Sequence, residues 1–324
     1  MKFIFKGYTL FILLVILTIV SLFIGVSQLS LIDIFHLSDE QMNILYSSRI
    51  PRTVSILLSG SSLALSGLIM QQMIQNKFVS PTTAGTMEWA KLGILLSLLF
   101  FPNGHILIKL LFAVVLSIVG TFLFVQLINL IRAKDVIFVP LLGIMIGGIL
   151  SSFTTFVALR TNALQSIGNW LTGNFAVITS GRFEVLYLTI PLLILAFVFA
   201  NHFTIAGMGK DFSHNLGVSY EKIIKIALFI TATLTALVVV TVGTLPFLGL
   251  IVPNIISIYR GDHLKNALPH TLMLGAIFVL IADIIGRIIV SPYEINIGLT
   301  IGVFGTIIFL ILLMKGRKNY ANEH

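Results

Sequence analysis

Arg49 and Arg52 stand three positions apart around Pro51, in the stretch SSRIPRTVSILLSGSSLALSG (47–67), at the entrance to an apolar run. Asp283 and Arg287 lie four positions apart inside a second apolar run. A guanidinium is planar and permanently charged, so it can grip a carboxylate through two parallel hydrogen bonds where water is thin. Such groups bind; they neither cut nor transfer bonds. Asp283 and Arg287 share one helix face at i,i+4, and pairing would lower the cost of carrying both charges through lipid. For Arg49 and Arg52 there is a plainer alternative, snorkelling at a helix start. Pro51 would be tolerated there because its missing N–H falls where no partner exists anyway.

Reactive constellations are scarce. No G-x-x-x-x-G-K-[ST] phosphate loop occurs; the nearest string, GMGKD (207–211), lacks the spacing and the hydroxyl. No H-E-x-x-H, paired inward carboxylates or nucleophile elbow is present, so catalysis is not expected. With no cysteine, disulfides and thiolate chemistry are excluded. His36, His105, His202, His214, His263 and His270 sit singly near the ends of apolar runs, poor material for a metal site.

The elements that must carry these residues are membrane helices. The chain is 57% hydrophobic and 10% charged, against about 25% charge in soluble domains, and its mean hydropathy is +1.06. Its +8 charge is spread singly between apolar runs rather than gathered on one polar face, which argues against nucleic acid. The basic, apolar N-terminus is too long for a signal peptide's core and is read as an uncleaved first span. Runs of roughly 20 apolar residues give ten expected spans: 8–28, 52–74, 87–101, 107–131, 137–159, 184–203, 223–244, 246–259, 269–290 and 297–314. The third and eighth are short, and Pro246 and Pro253 mark the eighth as bent or partly re-entrant.

With the N-terminus inside, alternation assigns the cytoplasm Lys2, Lys6, Lys77, Lys91, Arg132, Lys134, Lys210, Lys222, Lys225, Arg260, Lys265, Lys315, Arg317 and Lys318. Only Arg49, Arg52, Lys109, Arg160, Arg182 and Arg287 fall outside, the bias expected if both termini are cytoplasmic. The outer arginines are then the ones that need a reason.

At this level of detail the chain resembles the iron-siderophore and vitamin B12 type ABC importer permeases. RIPRTVSILLSGSSLALSGLIMQQMIQNKFVSPTTAGT is similar to the segment around the family's second span. GMGKDFSHNLGVSYEK (207–222), PFLGLIVPNIISIYRGDHLKNALP (246–269) and ADIIGRIIVSPYEINIGLTIGVFG (282–305) follow in the family's order. Asn254 stands where many members have histidine, and Gly305, Thr306 and Ile307 where many have G-A-P. The wording of SPTTAGTMEWAKLGIL looks most like the catecholate-siderophore branch.

The resemblance implies an all-α integral membrane protein of about ten transmembrane helices, in the type II importer permease fold, with one permease domain over 1–324. It implies that Arg49, Arg52 and Arg287 dock an extracytoplasmic binding protein through its acidic side chains. It implies that 207–220, with Asp211, Ser213, His214, Asn215, Leu216 and Gly217, couples to an ATP-binding subunit. Two permease copies, identical or paralogous, would enclose the path, and two ATP-binding subunits would hold ATP and magnesium. The chain itself would bind no cofactor.

Asn76, Ser80, Pro81, Thr82 and Thr83, in a stretch where Pro81 and Gly85 break the helix, are candidates to line the inner path or to act as caps. In the fifth span Gly143, Gly147, Ser151 and Ser152 are pathway candidates, though such small-residue spacing also serves close helix packing. Trp170, in NWLTGNF (169–175), is either an interfacial anchor or a substrate contact. The rival readings are an ion-gradient-driven transporter, which would need midplane carboxylates that this chain lacks apart from Asp283, a membrane-embedded enzyme, and an importer for haem or a corrinoid.

Overall fold

A computed structural model describes residues 6–25, 38–131, 135–261, 263–290 and 292–321. Lys2, His36, Arg132, Lys134 and positions 26–28 of the first expected span lie outside the described residues. The architecture is all-helical. In order it runs α1 (Gly7–Phe23), α2 (Asp39–Ile44), α3 (Ile50–Ile74), α4 (Thr86–Phe100), α5 (Ile106–Ile131), α6 (Phe138–Arg160), α7 (Leu164–Leu171), α8 (Thr189–Ala206), α9 (Lys210–Asn215), α10 (Tyr220–Thr241), α11 (Leu248–Arg260), α12 (Leu264–Ile288) and α13 (Ile297–Ala321). A helix therefore lies over each expected apolar run. Within lipid this is the economical solution, because an α-helix satisfies its backbone polar groups internally.

Among the described residues, six segments are long and apolar enough to cross a membrane unaided: Asp39–Ile74, Ile106–Ile131, Phe138–Arg160, Phe183–Ala206, Tyr220–Thr241 and Leu264–Ile288. In the first, helical structure begins well before residue 52, the expected start of the apolar span. A π-helical turn, Leu45–Arg49, joins α2 to α3 without a break. Its wider winding absorbs Pro51, and Ser38 and Gln41 close the new N-terminus as a reciprocal capping box.

Burial separates centre from rim. In α3, 78% of the apolar window is buried, against 22% in α6. The α3 surface can be enclosed because it is built from Ser and Gly as well as Leu. Gly60 and Gly275 face each other across the α3–α12 crossing, where a Cβ on Gly275 would lie 2.5 Å from the Gly60 carbonyl. Small residues let the backbones approach, the usual device of membrane packing. Around α3 stand α10, α11 and α12, while α5, α6, α8 and α13 turn large apolar side chains outward.

The short elements obey the same constraint. α4 has 15 residues, about 22 Å at 1.5 Å per residue, less than the roughly 30 Å hydrocarbon layer. α11 has 13 residues and holds Pro253 in its interior, so the Gly249 carbonyl loses its i+4 donor. Gln71 of α3 repairs the loss, donating from Nε2 to the carbonyls of Gly249 and Leu250 at 3.4 Å each.

Antiparallel alternation sorts the helix ends into two groups. One gathers the C-termini of α1, α4, α6, α10 and α12 with the N-termini of α3, α5, α8, α11 and α13. Backbone bonds from Ser180 to Ser47 and from Asn174 to Val242 knit that end. Arg49, Arg52, Lys109, Arg160, Arg182 and Arg287 all lie there. The other end carries the 75–85 turn and α9.

Candidate functional site

At the arginine-rich end, three guanidiniums converge on two carboxylates. Arg52 donates from Nη2 to Asp283 Oδ1 at 2.8 Å and from Nη1 to Glu294 Oε2 at 2.7 Å. Arg287 donates from Nε to the other Asp283 oxygen at 2.7 Å, with a second bond from its Nη2. Its remaining donors reach α1: Nη1 bonds the carbonyls of Ser21 and Ile24 and Nη2 bonds Ser21 Oγ, each at 2.9 Å. These are carbonyls that a helix C-terminus leaves without intrahelical partners. Arg49 also donates to the Ile24 carbonyl. The cluster thus ties α1, α3 and α12 together, as a fork with five fixed donors can.

Exposure distinguishes the three. Arg49 is 7% and Arg287 6% exposed, so neither presents an open fork to a partner in this chain. Arg52 keeps 12% of its side chain exposed, beside a Glu294 that is 25% exposed. Of the three expected docking residues, Arg52 has the outward-facing partner.

A second basic feature lies at the same end. Trp170, in α7, carries the Arg182 guanidinium 4.2 Å and the Lys109 ammonium 5.2 Å from its ring centroid. A cavity of about 400 Å³ opens beside it, lined by Trp170, Thr172, Asn174, Val177, Arg182 and Asn296. Neither Arg182 nor Lys109 forms an ion pair among the described residues. Burial holds the Arg182 guanidinium below its usual pKa.

At the opposite end, the pathway candidates divide. Asn76 and Ser80 are buried and work as turn formers: Asn76 Nδ2 bonds the Val136 carbonyl at 2.9 Å, and its Oδ1 accepts from the Phe78 N–H at 2.9 Å. Thr83 Oγ1 accepts from the Ser80 N–H at 2.8 Å and donates to the Phe78 carbonyl at 3.0 Å. Pro81 is buried, and Thr82 is partly exposed. Gly143 packs against this turn so closely that a Cβ would lie 2.9 Å from Ala84 Cα; Gly147 is buried beside Glu88 and Gly85. Ser151 is half-buried, and Ser152 faces outward with its hydroxyl bonded to the Gly148 carbonyl at 2.9 Å.

α9 projects from the same end. Gly209 (φ 110°) and Gly217 (φ 71°) bracket it in left-handed conformations that favour glycine. Ser213 is buried; its hydroxyl bonds the Ile205 carbonyl of α8 at 3.1 Å and the Gly209 carbonyl at the start of α9 at 2.8 Å. Asp211, His214, Asn215 and Leu216 are left exposed, as are Met208 and Phe212. The exposed face formed by this short helix and its flanks thus combines three large apolar side chains with polar groups.

Residues 13–315 match the FecCD transport family. The chain belongs to that family. Among its relatives, the petrobactin import system permease protein YclN of Bacillus subtilis is 54% identical over 312 residues, covering 96% of this chain and 98% of that one. The ferric-anguibactin transport system permease protein FatD of Vibrio anguillarum is 37% identical, covering 92% and 95%. Among solved structures, a protein described as a metal-chelate type ABC transporter in an inward-facing conformation superimposes with a TM-score of 0.79 at 25% identity. The match covers 95% of this chain and 98% of that one.

Within this FecCD chain the sequence reading overlooked Glu294, Ser21 and the joint setting of Lys109, Trp170 and Arg182. Glu294 meets Arg52 across 242 positions, a separation at which one sequence carries no signal. The Trp170 cluster had a partial one: Lys109 and Arg182 are two of the few basic residues on the side that the charge bias disfavours.

Proposed function

We propose that this chain is the membrane-spanning permease subunit of an ABC importer for a ferric siderophore of the petrobactin kind. The observation that carries the cargo is the 54% identity, over nearly both full lengths, to a petrobactin import permease. The chain is a transport subunit, not an enzyme. In this reading 1–324 forms one membrane domain, the ten apolar helices all cross, both termini are cytoplasmic, and the arginine-rich end faces outward. A second permease copy completes the path. Two ATP-binding subunits, which hold ATP and magnesium, grip α9 through Met208, Phe212 and Leu216, with Asp211, His214, Asn215 and Gly217 around the contact. A binding protein docks outside, where Arg52 offers its fork. Arg49 and Arg287 support that site from behind by fixing α1 and α12.

Alternating access then follows from leverage. Closure of the ATP-binding subunits pushes α9; Ser213 transmits the push to α8, and Gln75 Nε2, bonded to the Gly207 carbonyl at 2.8 Å, transmits it to the end of α3. Gly143, Gly147, Ser151 and Ser152 of α6, with Asn76 to Thr83 of the turn, border the moving inner part of the path. A passage for a bulky chelate must release as well as admit, which favours weak, distributed contacts.

The test is uptake by vesicles carrying the permease pair, the ATP-binding subunits and the binding protein, across a panel of catecholate, hydroxamate, haem and corrinoid cargoes. Ferric petrobactin uptake that requires internal ATP is the expected result. Uptake driven by a proton or sodium gradient alone would overturn the assignment.

A further inference from the structure

The cavity beside Trp170 has a chemistry of its own. Its polar lining consists of a guanidinium, two amides and a hydroxyl: Arg182, Asn174, Asn296 and Thr172. Lys109 adds a second cation across the indole, and its ammonium also bonds the Gly104 carbonyl at 3.0 Å. Every charge within this group is positive. Glu184, the nearest acid in sequence, accepts the Gly181 N–H at 2.8 Å and does not line the cavity. Arg182 Nε is shielded from solvent and has no acceptor.

Holding two half-buried cations near one another without a counter-ion costs free energy from both desolvation and repulsion. The indole returns part of it through its electron-rich ring, about 0.5–2 kcal/mol per cation. An anion seated in the cavity would return more, through charge-assisted hydrogen bonds in a site with little competing water.

We propose that this cavity is an anion-accepting vestibule that takes one oxyanion-bearing arm of the ferric chelate as it leaves the binding protein. Arg182 supplies the charge in the lining, Lys109 adds to it from over the Trp170 ring, and the side-chain amides of Asn174 and Asn296 supply uncharged donors, while the Thr172 hydroxyl is committed to the Gly168 carbonyl at 2.7 Å. The inference rests on the importer reading above and adds to it a contact point for the cargo. Size selects the occupant. About 400 Å³ lies within the range of small-molecule sites, and a recessed Arg182 suits an arm that can reach inward better than a side chain on a second protein surface.

The whole importer in proteoliposomes, supplied with radiolabelled ferric petrobactin on its binding protein, provides the test. Arg182→Gln and, separately, Lys109→Gln should lower maximal uptake about tenfold, the loss of roughly one charge-assisted contact. The concentration of loaded binding protein giving half-maximal rate, and ATP hydrolysis, should stay within about twofold of wild type. Arg182→Lys should recover part of the uptake, since charge returns without the planar fork. Lys109→Gln reaches the site from a different helix and keeps the test sound if Arg182→Gln does not fold. Since the chain has two tryptophans, Trp89→Phe leaves Trp170 as its sole tryptophan, which can be excited apart from the tyrosines. Ferric petrobactin added to that full-length chain in nanodiscs should quench its emission. Wild-type uptake in both variants would overturn the proposal. So would a shift confined to the half-maximal concentration, which would mean that the cavity receives an acidic side chain of the binding protein. A wild-type importer that moves no ferric siderophore at all would instead strike the importer's cargo assignment.

Discussion

Asp283 is the residue whose removal the ionic cluster should tolerate least. It is 3% exposed and is the carboxylate shared by Arg52 and Arg287. Asp283→Asn keeps the volume but replaces one acceptor by an amide NH2 that would point at guanidinium donors. Arg52 would retain Glu294, whereas Arg287 would be left with only the carbonyls and hydroxyl of α1. Leaving a buried charge without its partner costs about 3–5 kcal/mol. The reverse change should be milder. In Arg287→Met the aspartate still holds Arg52, so the loss reduces to the hydrogen bonds made to α1 and to Asp283, about 1–3 kcal/mol. Equilibrium unfolding of the chain in bicelles measures both. Hydrogen exchange should further show that Arg287→Met loosens residues 21–25, where the Ser21 carbonyl loses its Arg287 donor and the Ile24 carbonyl keeps only Arg49, and leaves α3 protected. Equal losses in the two variants, or a loss below about 1 kcal/mol in Asp283→Asn, would refute the view that this carboxylate organises the cluster.

Glu294 competes with any outside carboxylate for Arg52, so Glu294→Gln should tighten capture of the loaded binding protein several-fold at low ionic strength and less at high salt; surface plasmon resonance on nanodiscs would show no change if Arg52 is purely structural. Leu216→Asp places a charge in the apolar knuckle of α9 and should abolish co-purification of the ATP-binding subunit while the chain still inserts; an intact, coupled complex would put the contact elsewhere. Gly275→Val pushes a side chain into the Gly60 backbone, where even a Cβ lies 2.5 Å from the carbonyl oxygen. It should destabilise by at least the 1–3 kcal/mol typical of overpacking, read as a lower denaturant midpoint.

The helices were legible because each apolar run long enough to cross a bilayer announces itself, whatever it packs against. What precedes α3 was not. DEQMNILYSSR (39–49) has the polarity of a loop, and only the three-dimensional context shows a π turn carrying the helix through Pro51. The i,i+4 spacing put Asp283 and Arg287 on one face, but spacing cannot reveal that Arg52 competes for the same carboxylate from 231 positions away. Nor could residue type separate Asn76 and Ser80 as turn formers from Asn174 and Thr172 as cavity lining, because the same polar groups serve both uses. Their difference lies in which partners the fold brings within reach.

Gln71 and Pro253 illustrate a wider consequence of such partnerships. A proline deep in α11 is affordable only while a neighbouring helix lends the amide hydrogen it lacks. An apolar residue at 71 would strand a carbonyl in lipid-like surroundings, and a residue other than proline at 253 would supply a second claimant for the same oxygen. A change at either site, on different helices and 182 positions apart, therefore alters the bonding open to the other. α11 also cannot swing away from α3 without taking the Gly249 carbonyl from its Gln71 donor, which couples the two helices.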